Sequence, residues 1–256
     1  MLHDPFALDD VPAAIRPLLN WTLALRDYRA LYREVTRPRD LRFATLPFER
    51  RVLGALDIQV EAPPSDVGSI PARGPLVIAS NHPHGILDGL ALVALVRSLR
   101  PDVRVVTNHL LSRIPELHEF CFFVDPFHRP AATARSLTGL RAAHLWLRKG
   151  HALIVFPAGE VAHGPIEDAC RGESAWKPTM ARLASATGAP TVRAHIEGGN
   201  STVFYAAGRV HPALRTALLA REFLKKRGAA IKVRLRPDTT FDVRSVASGF
   251  SRTVRS

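Results

Sequence analysis

The chain reads as an α/β protein: a single domain with a largely parallel central sheet flanked by helices and preceded by N-terminal amphipathic helices. Three observations point there. Short β-branched apolar runs alternate with longer helical patterns, Gly and Pro punctuate the boundaries between them, and 46% of the 256 residues are hydrophobic, ample for a buried core.

Residues 11–36 read as one or two helices, with Ile15, Leu18, Leu19, Trp21, Leu23 and Leu25 beside Arg16, Arg26, Arg29 and Arg33. Their apolar side suits packing on the domain. It equally suits an interfacial membrane helix with Trp21 and Tyr28 at headgroup level. A short helix at 46–55 feeds "LDIQVEA" (56–62), which alternates as a strand does, and Pro63-Pro64 with "PARGP" suggests a hairpin-like connection into a strand at 76–79. A helix at 86–99 ends before Pro101, and "VRVV" (103–106) and "CFFV" (121–124) are strands. A helix over 131–149 stops at Gly150, where "ALIVF" (152–156) begins a buried strand. A polar loop at 157–175 precedes a helix at 177–187 closed by Gly188, a strand at 190–196, a basic helix at 213–227 and the strand "AIKVRLR". The expected division is a helical, membrane-associating segment (1–56), the α/β domain (57–245) and a tail (246–256). In such sheets active sites lie beyond the carboxyl ends of the strands, so "NHPHGILDG" (81–89) and "FPAGE" (156–160) should open onto one face.

A formal charge of +12 calls for a polyanionic partner: nucleic acid, an anionic membrane or acidic substrates. The two cysteines, Cys121 and Cys170, have no metal or redox spacing and read as buried small hydrophobes in a reducing compartment. The acidic start "MLHDPFALDD" lacks the pattern of a signal peptide, which places the protein in the cytoplasm. The longest apolar run, "GLALVALV", is stopped by Arg97, short of a bilayer span.

"NHPHGILDG" admits three readings. His82-x-His84 resembles the start of a metal cluster, but Pro83 and the helix that follows spoil the geometry, and no third histidine lies next to Asp88. Asn81 and Asp88 could be caps, with Gly85 and Gly89 relieving a tight turn. Or a histidine takes a proton from an acceptor hydroxyl or amine while the aspartate orients it and stabilises the imidazolium. There is no G-x-S-x-G elbow and no catalytic-looking cysteine, so direct attack by the acceptor on an activated acyl group is favoured over an acyl-enzyme.

These motifs resemble the lysophospholipid (1-acylglycerol-3-phosphate) acyltransferase superfamily, whose signature is Asn-His followed shortly by Asp and, much later, a Phe-Pro-Glu-Gly-Thr-Arg-type segment. The chain is most similar to the bacterial hemolysin-type branch linked to ornithine-lipid-type synthesis, with Asn81 to Gly89 and Phe156 to Val161 matching its two motifs. "NHLLSRIPEL", "VDPF", "WKP" and "HIEGGNSTVFY" extend the resemblance over about 70–240. The resemblance implies a glycerolipid acyltransferase-like fold and His82 as general base with Asp88 as its orienting partner. The co-substrate would be acyl-coenzyme A or acyl carrier protein, the acceptor a lyso-lipid, with no cofactor and no metal. It further implies a peripheral enzyme on an anionic membrane, at the cytoplasmic face of the inner membrane, with no nucleic acid as partner.

The chain departs from the superfamily at several places. The usual His-x4-Asp is here His82-x5-Asp88 or His84-x3-Asp88, which makes His84 a competing base; on a helix its offset of four would put it on one face with Asp88. His82 is preferred, because the Asn-His-Pro branch varies at the position of His84. The third motif carries Ala158, Glu160 and Val161 in place of Glu and Thr-Arg, and Val124-Asp125 is followed by Pro126 where the second motif has an arginine. Two phosphate-binding arginines are therefore missing, with Arg129 a substitute for one. The carboxylate of Glu160 suits a cationic or zwitterionic headgroup, such as a lyso-aminolipid, better than lysophosphatidic acid.

Candidate substrate-binding residues are Asn81, Gly85, Asn108, Arg129, Phe156, Pro157, Ala158, Gly159, Glu160 and Lys177, with Asn108 and His109 equally suited to capping a helix. Trp176, Glu197 and Asn200 also fall where they could shape the acceptor site. His144, with Leu137, Leu140 and Leu147, reads as lining the core, and Lys225-Lys226-Arg227 with Lys232, Arg234 and Arg236 as a solvated basic face. A non-catalytic basic membrane- or nucleic-acid-binding module is the rival reading. It lacks a helix-turn-helix or zinc-finger pattern and any interleaving of aromatic and basic residues.

Overall fold

The structure, a computed structural model, describes residues 23–125, 130–159, 161 and 186–237, with positions 5, 16 and 20. The strands are β1 (Gln59–Glu61), β2 (Leu76–Ser80), β3 (Val103–Asn108), β4 (Cys121–Val124), β5 (Ala152–Val155), β6 (Thr191–Ile196) and β7 (Ala230–Pro237). The helices are α1 (Leu25–Thr36), α2 (Leu41–Ala44), α3 (Phe48–Ala55), α4 (Pro64–Val67), α5 (Ile86–Arg97), α6 (Pro130–Arg148), α7 (Thr202–Val210) and α8 (Pro212–Lys225), with two 3-10 turns between β3 and β4. The helix expected at 177–187 lies almost wholly outside the described residues.

The seven strands form one sheet in the order β1-β7-β6-β2-β5-β3-β4, parallel except where β7 runs against β6. Every residue of β2 and β5 is buried, as expected of strands covered by helices on both faces. β2 pairs in parallel with β5 on one side and β6 on the other, so the carboxyl ends of these three strands share one edge. The hairpin expected between β1 and β2 is absent: α4 occupies the proline-rich connection, and β1 pairs in parallel with β7, two strands away from β2. Local turn signals could not reveal this, because β1 finds its partner about 170 residues later in the chain.

The run "GLALVALV" is a core helix. In α5, Leu87, Leu90, Ala91, Leu92, Val93, Ala94 and Val96 are all buried, and an all-round apolar helix belongs inside a sheet-and-helix sandwich. Arg97 closes the run by pairing with buried Glu49 of α3 at 3.3 Å and with Glu119 at 2.9 Å. Leu31 and Val35 of α1 and Phe48, Val52 and Leu53 of α3 join the same core, so the described part of the N-terminal helical segment packs on the domain. Among the described residues no helix is long and apolar enough to cross a membrane.

α6 covers the other face through Gly139, Ala143 and Leu147, not through the face expected for His144: Leu137 is 63% exposed and His144 only half-buried. A β-carbon at Gly139 would lie 2.1 Å from the carbonyl oxygen of Phe123, so only glycine lets α6 approach β4 this closely. Gly139→Ala is expected to destabilise the fold by about 3 kcal/mol, the upper end for overpacking, because backbone must move. Urea denaturation would measure it. Cys121 is buried and its thiol is pushed up to about 12 by burial, which leaves it a small hydrophobe. Cys170 falls outside the described residues.

Candidate active site

β2 ends at Ser80, and the next nine residues build the centre of the site. Asn81 spends its whole carboxamide on the neighbouring strand end: Nδ2 donates to the Ile196 carbonyl at 2.8 Å and Oδ1 accepts from the Ile196 amide at 2.7 Å. It thus ties the loop after β2 to the loop after β6, a bracing role where substrate contact was expected. Gly85 is the N-cap of α5 with φ +81° and ψ −135°, a conformation closed to residues bearing a β-carbon. Leu219 of α8 and Val161 lie against the same glycine.

Three donors converge on Asp88, in the first turn of α5. Its Oδ2 accepts from His82 Nδ1 at 2.9 Å, from the His84 amide at 2.9 Å and from the Gly85 amide at 3.1 Å. The carboxyl is fully buried, whereas the His82 side chain keeps 18% of its exposure. A carboxylate oxygen held by two amides can only accept, so Nδ1–H donates and Nε2 carries the lone pair of the neutral ring. One side chain thus caps the turn through the two amides and also pairs with His82.

His84 points elsewhere. It is 3% exposed, and its Nε2 lies 3.0 Å from the Glu197 carbonyl, an acceptor, so Nε2–H is the donor. Its buried Nδ1 has no hydrogen-bond partner. Burial holds the ring below the ordinary imidazole range; the nearby Lys226 acts in the same direction, and Asp88 opposes both. The helix-face argument for His84 fails because α5 begins at Ile86, beyond Gly85, so position 84 is not helical.

Phe156, directly after β5, stacks on the His82 ring at 4.0 Å between centroids and 24° between planes. The two motifs, 75 residues apart, thus meet at His82. Pro157 is buried, Ala158 and Gly159 are exposed, and the Gly159 amide bonds the Phe156 carbonyl at 2.9 Å, closing a turn with φ +69° at Gly159. Asn108 takes the capping role, its Oδ1 accepting from the Leu110 amide at 2.9 Å. Arg129, Glu160, Trp176 and Lys177 lie outside the described residues. Among the described residues no three His, Cys, Asp or Glu side chains come together as a metal-ligand set.

The loop after β6, where the sequence offered Glu197 and Asn200 as candidates, is anchored by residues the sequence did not single out for that role. Within Glu197–Ser201, the Gly199 carbonyl accepts from Lys226, just past the end of α8, at 2.6 Å, and Glu222 of α8 accepts from the Ser201 amide and hydroxyl, each at 2.7 Å. Burial works against ionisation of Glu222, but Lys225 and Ser201 outweigh it and hold the carboxyl below its usual range. Lys225, Arg227, Lys232, Arg234 and Arg236 are exposed, as expected of a solvated basic face, although Lys225 also donates to Glu222 and Arg227 to the Ala55 carbonyl at 2.8 Å; Lys226 is half-buried and tied into this network. No signal within the basic run foretells partners on a loop some 25 residues earlier. Glu197 is exposed and contributes its carbonyl, and the Asn200 backbone amide donates to the Tyr205 hydroxyl oxygen at 3.1 Å.

Residues 65–234 match the Acyltransferase family. A lyso-glycine lipid O-acyltransferase of Phocaeicola vulgatus is 30% identical over 182 residues, 67% of this chain and 61% of that protein. A lyso-glycine lipid O-acyltransferase of Bacteroides thetaiotaomicron is 29% identical over 163 residues, 62% of this chain and 56% of that protein. The chain thus covers less than two thirds of the length of either relative. The crystal structure of the 1-acyl-sn-glycerophosphate (LPA) acyltransferase PlsC from Thermotoga maritima aligns with a TM-score of 0.45 and 17% identity, over 92% of this chain and 93% of that one. The family match spans well over half of the sequence and contains both motifs that meet at His82: the chain belongs to the acyltransferase family, within the lysophospholipid acyltransferase superfamily.

Proposed function

We propose that the protein transfers a fatty acyl group from an acyl thioester, of coenzyme A or acyl carrier protein, to the hydroxyl of a lyso-aminolipid. The observation that carries this reading is the His82 Nδ1–Asp88 Oδ2 bond at 2.9 Å, beside a partly exposed ring. In the reaction, Nε2 of His82 takes the proton of the acceptor hydroxyl as its oxygen attacks the thioester carbonyl. Buried Asp88 stabilises the imidazolium that forms. When the tetrahedral intermediate collapses, the C–S bond breaks and the thiolate leaves with the proton from Nε2, giving the ester and a free thiol. Phe156 holds the imidazole plane by stacking.

The aminolipid acceptor is supported by the names of the two relatives and by the second motif, where Pro126 stands in place of an arginine. Asp125, just before it, is used structurally, its backbone amide and carbonyl both bonded to the Ser136 hydroxyl, at 3.0 and 2.7 Å. The formal charge of +12 favours an anionic membrane surface as the place where the acceptor is met, with the protein peripheral to the cytoplasmic face of the inner membrane. The test is thiol release from long-chain acyl-coenzyme A and acyl carrier protein over a panel of lyso-lipids presented in anionic vesicles. Lyso-glycine or lyso-ornithine lipid is expected to be acylated at least about tenfold faster than lysophosphatidic acid, since losing a bidentate arginine–phosphate contact costs on the order of 1.4 kcal/mol or more. The reverse preference would overturn the acceptor assignment. Absence of thiol release with every donor and acceptor would overturn the catalytic one.

A further inference from the structure

We infer that His84 is a positioning residue, a neutral latch that locks the loop after β2 to the loop after β6 and thereby fixes the carboxylate that orients His82. The inference rests on the acyl-transfer reading for its kinetic consequence, and on geometry alone for the latch.

His84 holds both ends of the connection. Its amide is one of the two backbone donors to Asp88 Oδ2, at 2.9 Å, and its ring donates through Nε2 to the Glu197 carbonyl at 3.0 Å. The ring is packed tightly on the far side: a β-carbon at Gly198, where φ is +95°, would stand 3.1 Å from His84 Cε1. Asn81 makes the second tie between the same two loops through the Ile196 backbone. Lys226, directly after α8, carries the far loop from below through the Gly199 carbonyl. The ring is therefore clamped between the turn that aims Asp88 and a loop that is itself anchored.

The charged groups that bear on the ring are Asp88 from α5 and Lys226 from the turn after α8, with Glu222 of α8 bearing on Lys226. A protonated ring here would put a buried cation near half-buried Lys226 with its Nδ1–H unpartnered, so the neutral donor is the form that the surroundings accommodate. A base must take up a proton in turnover, and His82, with Nδ1 on a carboxylate, is built for that. Of the two histidines in the motif, His82 moves the proton and His84 holds the carboxylate's backbone donors in place.

The test compares wild type, His84→Gln, which keeps a donor near the position of Nε2, and His84→Leu, which keeps the bulk and removes the donor. Three readouts are needed: melting temperature, the pH profiles of kcat and kcat/KM for thiol release, and the ¹⁵N-histidine NMR signals of the His82 ring. For His84→Leu, kcat is expected to fall by about ten- to a hundredfold with little change in KM, the acid limb of kcat/KM to move, and the His82 Nδ1–H signal to shift or exchange faster. His84→Gln is expected to restore kcat to within about threefold of wild type, with a wild-type NMR signature. If both variants lose activity as completely as His82→Ala while the His82 signals stay unchanged, His84 is itself the base and the inference falls. If both keep wild-type rates, profiles and signals, the latch has no function and the inference falls. The NMR comparison needs no substrate, so failure of the acyl-transfer reading leaves it decisive: unchanged His82 signals in a folded His84→Leu refute the latch, and a shift reversed in His84→Gln supports it. Should His84→Leu not fold, His84→Gln against His84→Asn, whose amide lies near Nδ1 instead, gives the same comparison.

Discussion

Replacing His82 by alanine is expected to lower thiol release by at least about a hundredfold, the range for loss of a general base, while the protein stays folded. The structure separates the two effects. The His82 side chain touches Asp88 and Phe156 and lies partly exposed, so its removal opens no cavity in the core clusters. Asp88 keeps its two amide donors, and one lost charge-assisted bond costs about 1–2 kcal/mol of stability. Asp88→Asn sharpens the test. All three donors converge on Oδ2, so the amide oxygen of asparagine can accept the same three bonds; the negative charge facing the imidazolium disappears, and an amide NH2 replaces the buried, unpartnered Oδ1 at some cost in stability. Activity should fall by at least about tenfold in kcat with KM little changed, as for an interaction that strengthens only as charge develops. Wild-type kcat in either variant, with circular dichroism showing a native fold, would remove the dyad from the mechanism.

The second large effect is on stability and lies at the opposite edge of the sheet. Arg100 is 1% exposed and is a hub: it donates to Asp102 through Nε at 2.8 Å and Nη2 at 2.7 Å, and to the carbonyls of Pro71, Gly74 and Gly150. Asp102 also meets His151 Nδ1 at 3.0 Å. These bonds gather the segments that enter β2, β3 and β5. Arg100→Met fills most of the volume but leaves three carbonyls and a carboxylate short of donors. Removing one partner of a buried pair costs about 3–5 kcal/mol, and the partial exposure of Asp102 sets the expectation near 3. The pH dependence has a definite sign. Arg100 first, and His151 after it, hold the Asp102 carboxyl below the ordinary range against the opposing effect of burial. A depressed carboxylate contributes stability that is present above its unfolded value near 4 and lost as pH falls through the lower folded value. The stability gap between wild type and Arg100→Met should therefore be full at neutral pH and narrow below about pH 4. Urea melts at pH 7 and pH 3 measure it, and a gap that widens on acidification would contradict this account of Asp102.

Much of the fold was legible because each strand is a short apolar run ended by a turn signal. "CFFV" and "ALIVF" fell where expected, within a residue at their ends, because side chains buried on both faces leave little choice of residue type. α7 was missed: its stretch, "TVFYAAGRV", carries three β-branched residues, two aromatics and a glycine, all weak helix formers. Its cap is legible only afterwards, in Ser201 accepting from the Phe204 amide. The β1–β7 pairing was missed for a different reason, since parallel neighbours need not be close in sequence.

By itself the sequence determined that strands and helices alternate, that the two motif-bearing loops follow strands, and that one of them presents a histidine near an aspartate. These are local properties, written in periodicity, punctuation and motif. Which histidine meets the carboxylate was not local. Spacing allowed both, and the choice was made by Gly85 capping α5 so that His84 stays outside the helix, by Glu197 offering a carbonyl from a strand over a hundred residues away, and by Phe156 closing on His82 from a third strand. Parallel strands from distant parts of the chain bring their ends together at one edge, so the tertiary structure alone decides which side chains share it.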